Sequence, residues 1–137
     1  MEISEDVQGM LNAAYLDARE RKHEYITPEH MLYASLYFDY PRQVIHACGL
    51  EPEELRIELE EHLKHNIPVS EESEPVQTIG FQDVIERAVV HTESSSKQFL
   101  DLGDILVSIF DEEKSFSAYF MKKAGLNRLN LLDTISH

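Results

Sequence analysis

Displaced by 74 residues, the chain lies over itself. Val7 falls on Phe81, Met10 on Val84, Leu11 on Ile85 and Ala14 on Ala88. Tyr25 and Ile26 fall on Phe99 and Leu100, Leu32 on Leu106 and Leu36 on Phe110. After a two-residue insertion, Ala47-Cys48-Gly49-Leu50 falls on Lys123-Ala124-Gly125-Leu126, and Leu55 on Leu131. Apolar register, helix-start residues (Thr27 with Asp101) and the Gly-Leu turn all repeat together. A duplicated unit follows, and it constrains the fold more than any single segment does. Each half has a broad apolar surface and few helices to cover it, so the two halves are expected to share one core with pseudo-twofold symmetry.

The unit is helical. Val7, Met10, Leu11, Ala14 and Ala18 form one stripe of an amphipathic helix. Ser4 is placed to cap it, Glu5 and Asp6 suit its positive end, and Arg19, Arg21 and Lys22 suit its negative end. A second helix opens at Thr27-Pro28-Glu29, a cap, a first-turn proline and an acid. Asp39-Tyr40-Pro41 is expected to break it. A short third helix then runs to Ala47-Cys48 and stops at Gly49. A fourth starts near Glu51-Pro52 and carries Leu55, Leu59 and Leu63 inward. In the second half, Phe81 to Thr92 repeat the first stripe. Asp101, Ser115 and Asn127 open three more helices. No segment alternates cleanly as a strand would. The expected fold is therefore all-α, about eight helices in two four-helix repeats. The expected division is repeat one at 1–65, a connector at 66–79 and repeat two at 80–137. The connector holds two prolines, three glutamates and no basic residue, and reads as exposed and easily cleaved.

Charge excludes some functions. With 26 acidic against 12 basic residues among 137, a net charge of −14, the chain lacks the basic face that nucleic acid or anionic lipid requires. The expectation is no nucleic acid and no membrane among its partners. The N-terminus is acidic where a targeting peptide would be basic, no apolar run is long enough to span a bilayer, and the lone Cys48 makes no internal disulfide. A cytoplasmic location is expected.

Catalytic signals are weak. There is no phosphate-cradling glycine motif, no H-E-x-x-H and no C-x-x-C. Cys48 reads as a packed residue and Ser94-Ser95-Ser96 as a helix end. His62 and His65, spaced i, i+3 beside Glu58 and Glu61, are weak adventitious metal candidates; a solvated polar face explains them as well. His23-Glu24 and Glu29-His30 flank the first interhelical turn and are candidates of the same kind. No catalytic residue and no metal site is assigned.

The run His23-Glu24-Tyr25-Ile26-Thr27-Pro28-Glu29-His30-Met31-Leu32 resembles the H-E-[FY]-x-T-x-E-H-[LM]-L signature of the Clp amino-terminal domain, the module preceding the ATPase rings of Clp/Hsp100 unfoldases. The resemblance extends through the duplicated halves, the acidic connector, the Phe81-Gln82-x-Val84-Ile85-x-Arg87-Ala88 opening of repeat two and the closing Ile135-Ser136-His137. Among subfamilies it is most similar to ClpA. The resemblance implies a non-catalytic docking domain, an excised piece of an AAA+ chaperone. It implies a ClpS-type adaptor and protein substrates as partners, and the ClpP peptidase reached through the parent hexamer in ATP-dependent proteolysis. No cofactor is implied for this segment; ATP and magnesium belong to the missing AAA+ modules. The adaptor-facing surface carried over from the family comprises His23, Glu24, Glu29, Thr78, Gln82 and Arg87. Two departures stand out. Asp83 replaces a basic residue found in some relatives, and Asp101-Leu102-Gly103-Asp104 lacks an opening threonine. On this reading Glu24 and Glu29 sit on a rigid exposed turn, free to pair with a partner's lysine or arginine or to stabilise helix ends. Arg87 is free to face a partner or to pair with Glu86 or Asp83. A freestanding regulatory module and a small histidine-based metal enzyme are the alternative readings.

Overall fold

Ser4 ends the extended N-terminus by turning its hydroxyl onto the Val7 N–H, 3.2 Å away, and α1 (Glu5–Glu20) begins. Seventy-four positions later Thr78 does the same to the Phe81 N–H at 3.1 Å, and α5 (Ile79–Ser94) begins. The computed structural model describes residues 1–72 and 74–136. Ser73 of the connector and His137 of the closing tripeptide lie outside the described residues.

Between these two starts run α2 (Pro28–Ser35), α3 (Asp39–Ala47) and α4 (Pro52–His65). After α5 come α6 (Leu102–Asp111), α7 (Phe116–Lys123) and α8 (Arg128–Ser136). All eight residues of α2 are buried, as is α6 from Leu102 to Phe110. These two helices form the centre. α1 packs on α2 and α5 on α6; α3 and α8 cover α6 while α4 and α7 cover α2. These contacts come in matched pairs, α1 on α2 with α5 on α6, α4 on α2 with α8 on α6, and α3 on α6 with α7 on α2, which is the pseudo-twofold. Val7, Met10, Ala14 and Ala18 are fully buried, and Phe81, Val84 and Ala88 fill the matching positions. Burying these side chains supplies the main driving force for the fold, about 25 cal/mol per Å² of apolar surface.

Among the described residues four two-residue strands tie the halves together, a feature too short to register as alternation. β1 (Glu2–Ile3) precedes α1 and β2 (Tyr25–Ile26) precedes α2; β3 (Val76–Gln77) and β4 (Phe99–Leu100) stand in the same places in the second half. They pair in exchange, β1 with β4 and β2 with β3, both parallel. The Ser4 N–H donates to the Leu100 carbonyl at 3.0 Å and the Thr78 N–H to the Ile26 carbonyl at 3.1 Å. The symmetry thus reaches individual backbone hydrogen bonds. It also reaches backbone conformation. Lys22 and Ser96, 74 apart, both take φ of 60° without being glycine, and Gly49 and Gly125 end α3 and α7 with φ of 88° and 107°.

One expectation needs correction. Asp39-Tyr40-Pro41 does not break a helix; it is the first turn of α3, where a proline costs nothing because that N–H has no intrahelical partner. The break lies just before it, at 36–38. The connector is mostly exposed in its described residues and is tied to the first half by backbone hydrogen bonds. Its Pro68 carbonyl accepts from Glu24 N–H at 2.8 Å, and its Ser70 N–H donates to the Lys22 carbonyl at 2.8 Å. Lys22 pairs with Glu71 at 2.8 Å, and the Tyr15 hydroxyl donates to Glu74. No helix among the described residues is long and apolar enough to cross a membrane.

Candidate partner-docking surface

The His23–Leu32 run is mostly scaffold. Thr27 caps α2, and its N–H donates to His30 Nδ1 at 2.9 Å, so a histidine fills the role that Glu or Gln takes in a capping box. With Nδ1 accepting, the hydrogen-bond pattern assigns the ring proton to Nε2, which lies 2.8 Å from His23 Nδ1. His23 in turn bonds the Leu63 backbone. Two neutral imidazoles are hydrogen-bonded in series inside the protein, meeting edge to face with ring centroids 5.0 Å apart. Burial pushes His30 down to about 3, and burial, helped by Arg21, also lowers His23. The second half solves the same packing problem with charge. Lys97 and Asp104 occupy the equivalent positions, 2.8 Å apart, and Asp104 accepts from the Asp101 N–H at 3.0 Å.

Buried His23 and Glu29 therefore cannot be surface contacts, which corrects their expected place on an exposed turn. Glu29 is only 5% exposed. Its Oε2 accepts from both the N–H and the hydroxyl of Ser117, each at 3.0 Å, and so fastens the start of α7 to the start of α2. Its Oε1 lies 3.8 Å from His62 Nε2. His62 is buried as well, with its ring centroid 4.5 Å from that of Phe116, and burial lowers its pKa against the opposing pull of Glu29. It does not share a polar face with His65, which is exposed and pairs with Glu61 at 2.9 Å. Among the described residues no three of His, Cys, Asp and Glu are grouped to hold a metal ion.

Above these buried contacts, the N-termini of α2, α5 and α7 meet. Gly80 faces Pro28 so closely that a Cβ would lie 3.4 Å from the proline ring. The surface over this junction is apolar: Tyr25 and Val76, partners across the β2–β3 pair, with Ile79 (77% exposed) and Phe116 (53% exposed). Glu24, Thr78 and Gln82 flank it, with Glu24 half-buried and Gln82 exposed. Asp83 follows on the exposed side. Thr78 is held as the α5 cap. Arg87 lies more than a turn further along α5. It pairs with neither Glu86 nor Asp83, and instead donates to the Ser108 carbonyl on α6 and to Oε1 of Glu112 just past its end, both at 2.8 Å. Of the six residues singled out from sequence, the fold thus brings Glu24, Thr78 and Gln82 together at the surface. It places His23 and Glu29 beneath them and turns Arg87 toward α6.

Sequence reasoning missed Tyr25, Val76, Ile79 and Phe116. The available signal was position: Ile79 and Phe116 stand at the first residue of a helix, off the buried stripe, where an apolar side chain has nothing of its own helix to cover. Exposed apolar groups gathered on rigid elements are the usual mark of a protein-interaction surface.

Comparison with known proteins agrees with this picture of the fold. The family model for the Clp repeat (R) N-terminal domain matches residues 2–124. A ClpA homolog protein of Fuscovulum blasticum is 32% identical over 139 residues, covering 98% of this chain but only 18% of that relative. The Hsp104 N-terminal domain from Candida albicans superposes with a TM-score of 0.86 at 15% identity, covering 98% of this chain and 89% of that one. A ClpV N-domain solved in complex with a VipB peptide superposes with a TM-score of 0.75 at 20% identity, covering 95% and 82%.

Proposed function

The chain belongs to the Clp repeat N-terminal domain family, and on that premise we propose that it is the docking domain of a ClpA-type AAA+ unfoldase. In this reading it binds a ClpS-type adaptor in the cytoplasm and helps deliver substrates for ATP-dependent proteolysis. It performs no reaction itself; ATP and magnesium act in the AAA+ modules, and ClpP is reached through the hexamer they form. The observation that carries the reading is the apolar junction of Tyr25, Val76, Ile79 and Phe116, rimmed by Glu24 and Gln82. Ile79 and Phe116 sit on helix starts held by the Thr78 cap and the Glu29–Ser117 bonds, and Tyr25 and Val76 on the paired β2 and β3. Such a surface is already ordered before a partner arrives, so little conformational entropy is lost on binding. A ClpV N-domain of the same fold has been solved with a VipB peptide, which supports peptide or adaptor capture as the role of this architecture.

Calorimetric titration with a purified ClpS-type adaptor tests it. Saturable binding is expected, weakened about tenfold or more by Ile79→Ser and by Glu24→Lys, because central apolar anchors and complementary rim charges dominate such contacts. Unchanged affinity in both variants would remove this face from the adaptor interface.

A further inference from the structure

The pseudo-twofold that builds the docking surface builds a second one on the opposite pairing. There the N-termini of α6, α1 and α3 meet, around the β1–β4 strands, as those of α2, α5 and α7 meet around β2–β3. The result is a groove of about 540 Å³ walled by Tyr40, Phe99 and Leu102, with Glu5, Asp6 and Asp101 along it. Phe99 and Tyr40 occupy the positions of Tyr25 and Phe116. Gly103 stands where the first half has Glu29, and this lets the Tyr40 ring come within 3.4 Å of where a Cβ would be. An adjoining groove of about 490 Å³ shares Phe99 and adds Glu2 and Glu93, with Lys97 also in its wall.

Shape is repeated but charge is not. Glu2, Glu5, Asp6, Glu93 and Asp101 on this face correspond to Val76, Ile79, Gly80, Arg19 and Thr27 on the other. Every acid has a non-acidic counterpart. Lys97 engages Asp101 at 3.0 Å and Asp104 at 2.8 Å, while Glu2, Glu5, Asp6 and Glu93 have no ion pair among the described residues. Helix-dipole stabilisation does not account for the pattern. It explains Glu5 and Asp6 at the start of α1, yet α5 starts equally well with no acid in its first turn, and Glu93 lies in the last turn of α5, where negative charge is unfavourable.

We propose that this acidic groove is a second, independent docking site, selective for a partner-protein segment that presents arginine or lysine beside an apolar side chain. The apolar side chain lies between Tyr40 and Phe99, where aromatic faces also attract a guanidinium or ammonium, and the cation meets the unpaired carboxylates. The two faces then grip chemically different segments through one repeated backbone geometry, and the acids reject acidic segments as strongly as they draw basic ones.

The test uses the 137-residue chain and fluorescein-labelled peptides followed by anisotropy. One peptide alternates arginine with leucine and the other glutamate with leucine. Binding of the arginine peptide alone is expected, falling steeply as salt rises from roughly 50 to 300 mM. Glu5→Gln with Asp6→Asn should weaken it about tenfold. Glu2→Gln with Glu93→Gln, which touches no helix cap, should weaken it as well, while Ile79→Ser leaves it unchanged. Equal binding of both peptides would overturn the proposal, as would affinity indifferent to all four acids. So would self-association of the unliganded chain that Phe99→Ser abolishes, since the groove would then be a homotypic interface. Loss of adaptor binding in Ile79→Ser with arginine-peptide binding intact separates this site from the adaptor face.

Discussion

Glu29→Lys is expected to lose about 3–5 kcal/mol of stability, the cost of leaving a buried charge without its partner. For a domain whose total stability is about 5–15 kcal/mol, much of the population unfolds on mild heating. The lysine cannot accept from the Ser117 N–H and hydroxyl, both now donors without acceptors, and it places a cation 5% exposed. Glu29→Gln keeps one acceptor oxygen and should lose less, about 1–2 kcal/mol. Glu24→Lys at the half-buried rim should stay within about 0.5 kcal/mol of the parent. Urea unfolding of the three variants checks the ranking. A Glu29→Lys chain as stable as the parent would mean that Glu29 is solvated and that the α2–α7 junction is held by something else.

Acid should destabilise the fold well above the range in which ordinary carboxylates titrate. His30 is held at about 3, against an unfolded value near 6.5, and burial also lowers His23 and His62. A histidine that binds its proton more weakly when folded is neutral in both states above pH 6.5, so stability there is complete. Below pH 6.5 the unfolded chain gains a proton that the folded chain refuses, and stability falls until the folded value is reached. For His30 that window runs from about 6.5 down to about 3. Within it each pH unit costs about 1.4 kcal/mol, so His30 removes about 3 kcal/mol between pH 6.5 and 4.5. Denaturant midpoints measured across this range should fall steadily. His30→Asn, whose side-chain oxygen still accepts from the Thr27 N–H, should make the decline shallower. A flat profile from pH 7 to 5 would show that these imidazoles are accessible to protons.

What was legible in the sequence was local. Ser4 and Asp101 act through the N–H three residues on, and Val7, Met10 and Ala14 through a helical period, so their roles appear within a few neighbours. The duplication carried this further, because agreement between two copies makes each weak signal count twice. The candidate site was less legible because its chemistry is tertiary. A glutamate in the first turn of α2 looks like a solvated partner for the helix dipole; only Ser117, 88 residues away, makes it a buried clasp. His62 looked wet because its neighbours Glu58 and Glu61 are polar, and it is covered by Phe116 from another helix. Asp39-Tyr40-Pro41 contains a helix breaker that is harmless in a first turn. Lys22 and Ser96 take positive φ with no glycine to mark the turn, and two-residue strands have no period to detect.

On the proposed reading the chain is a two-faced platform, and the strongly marked run His23–Leu32 supports one of its surfaces rather than forming it. Titration of the ¹⁵N-labelled chain with an unlabelled ClpS-type adaptor, followed residue by residue, tests this most directly. The expected result is perturbation centred on Tyr25, Val76, Ile79, Gln82 and Phe116, with the groove around Tyr40 and Phe99 unmoved. Perturbation confined to the outer faces of α4 and α8, or no binding at all, would contradict it.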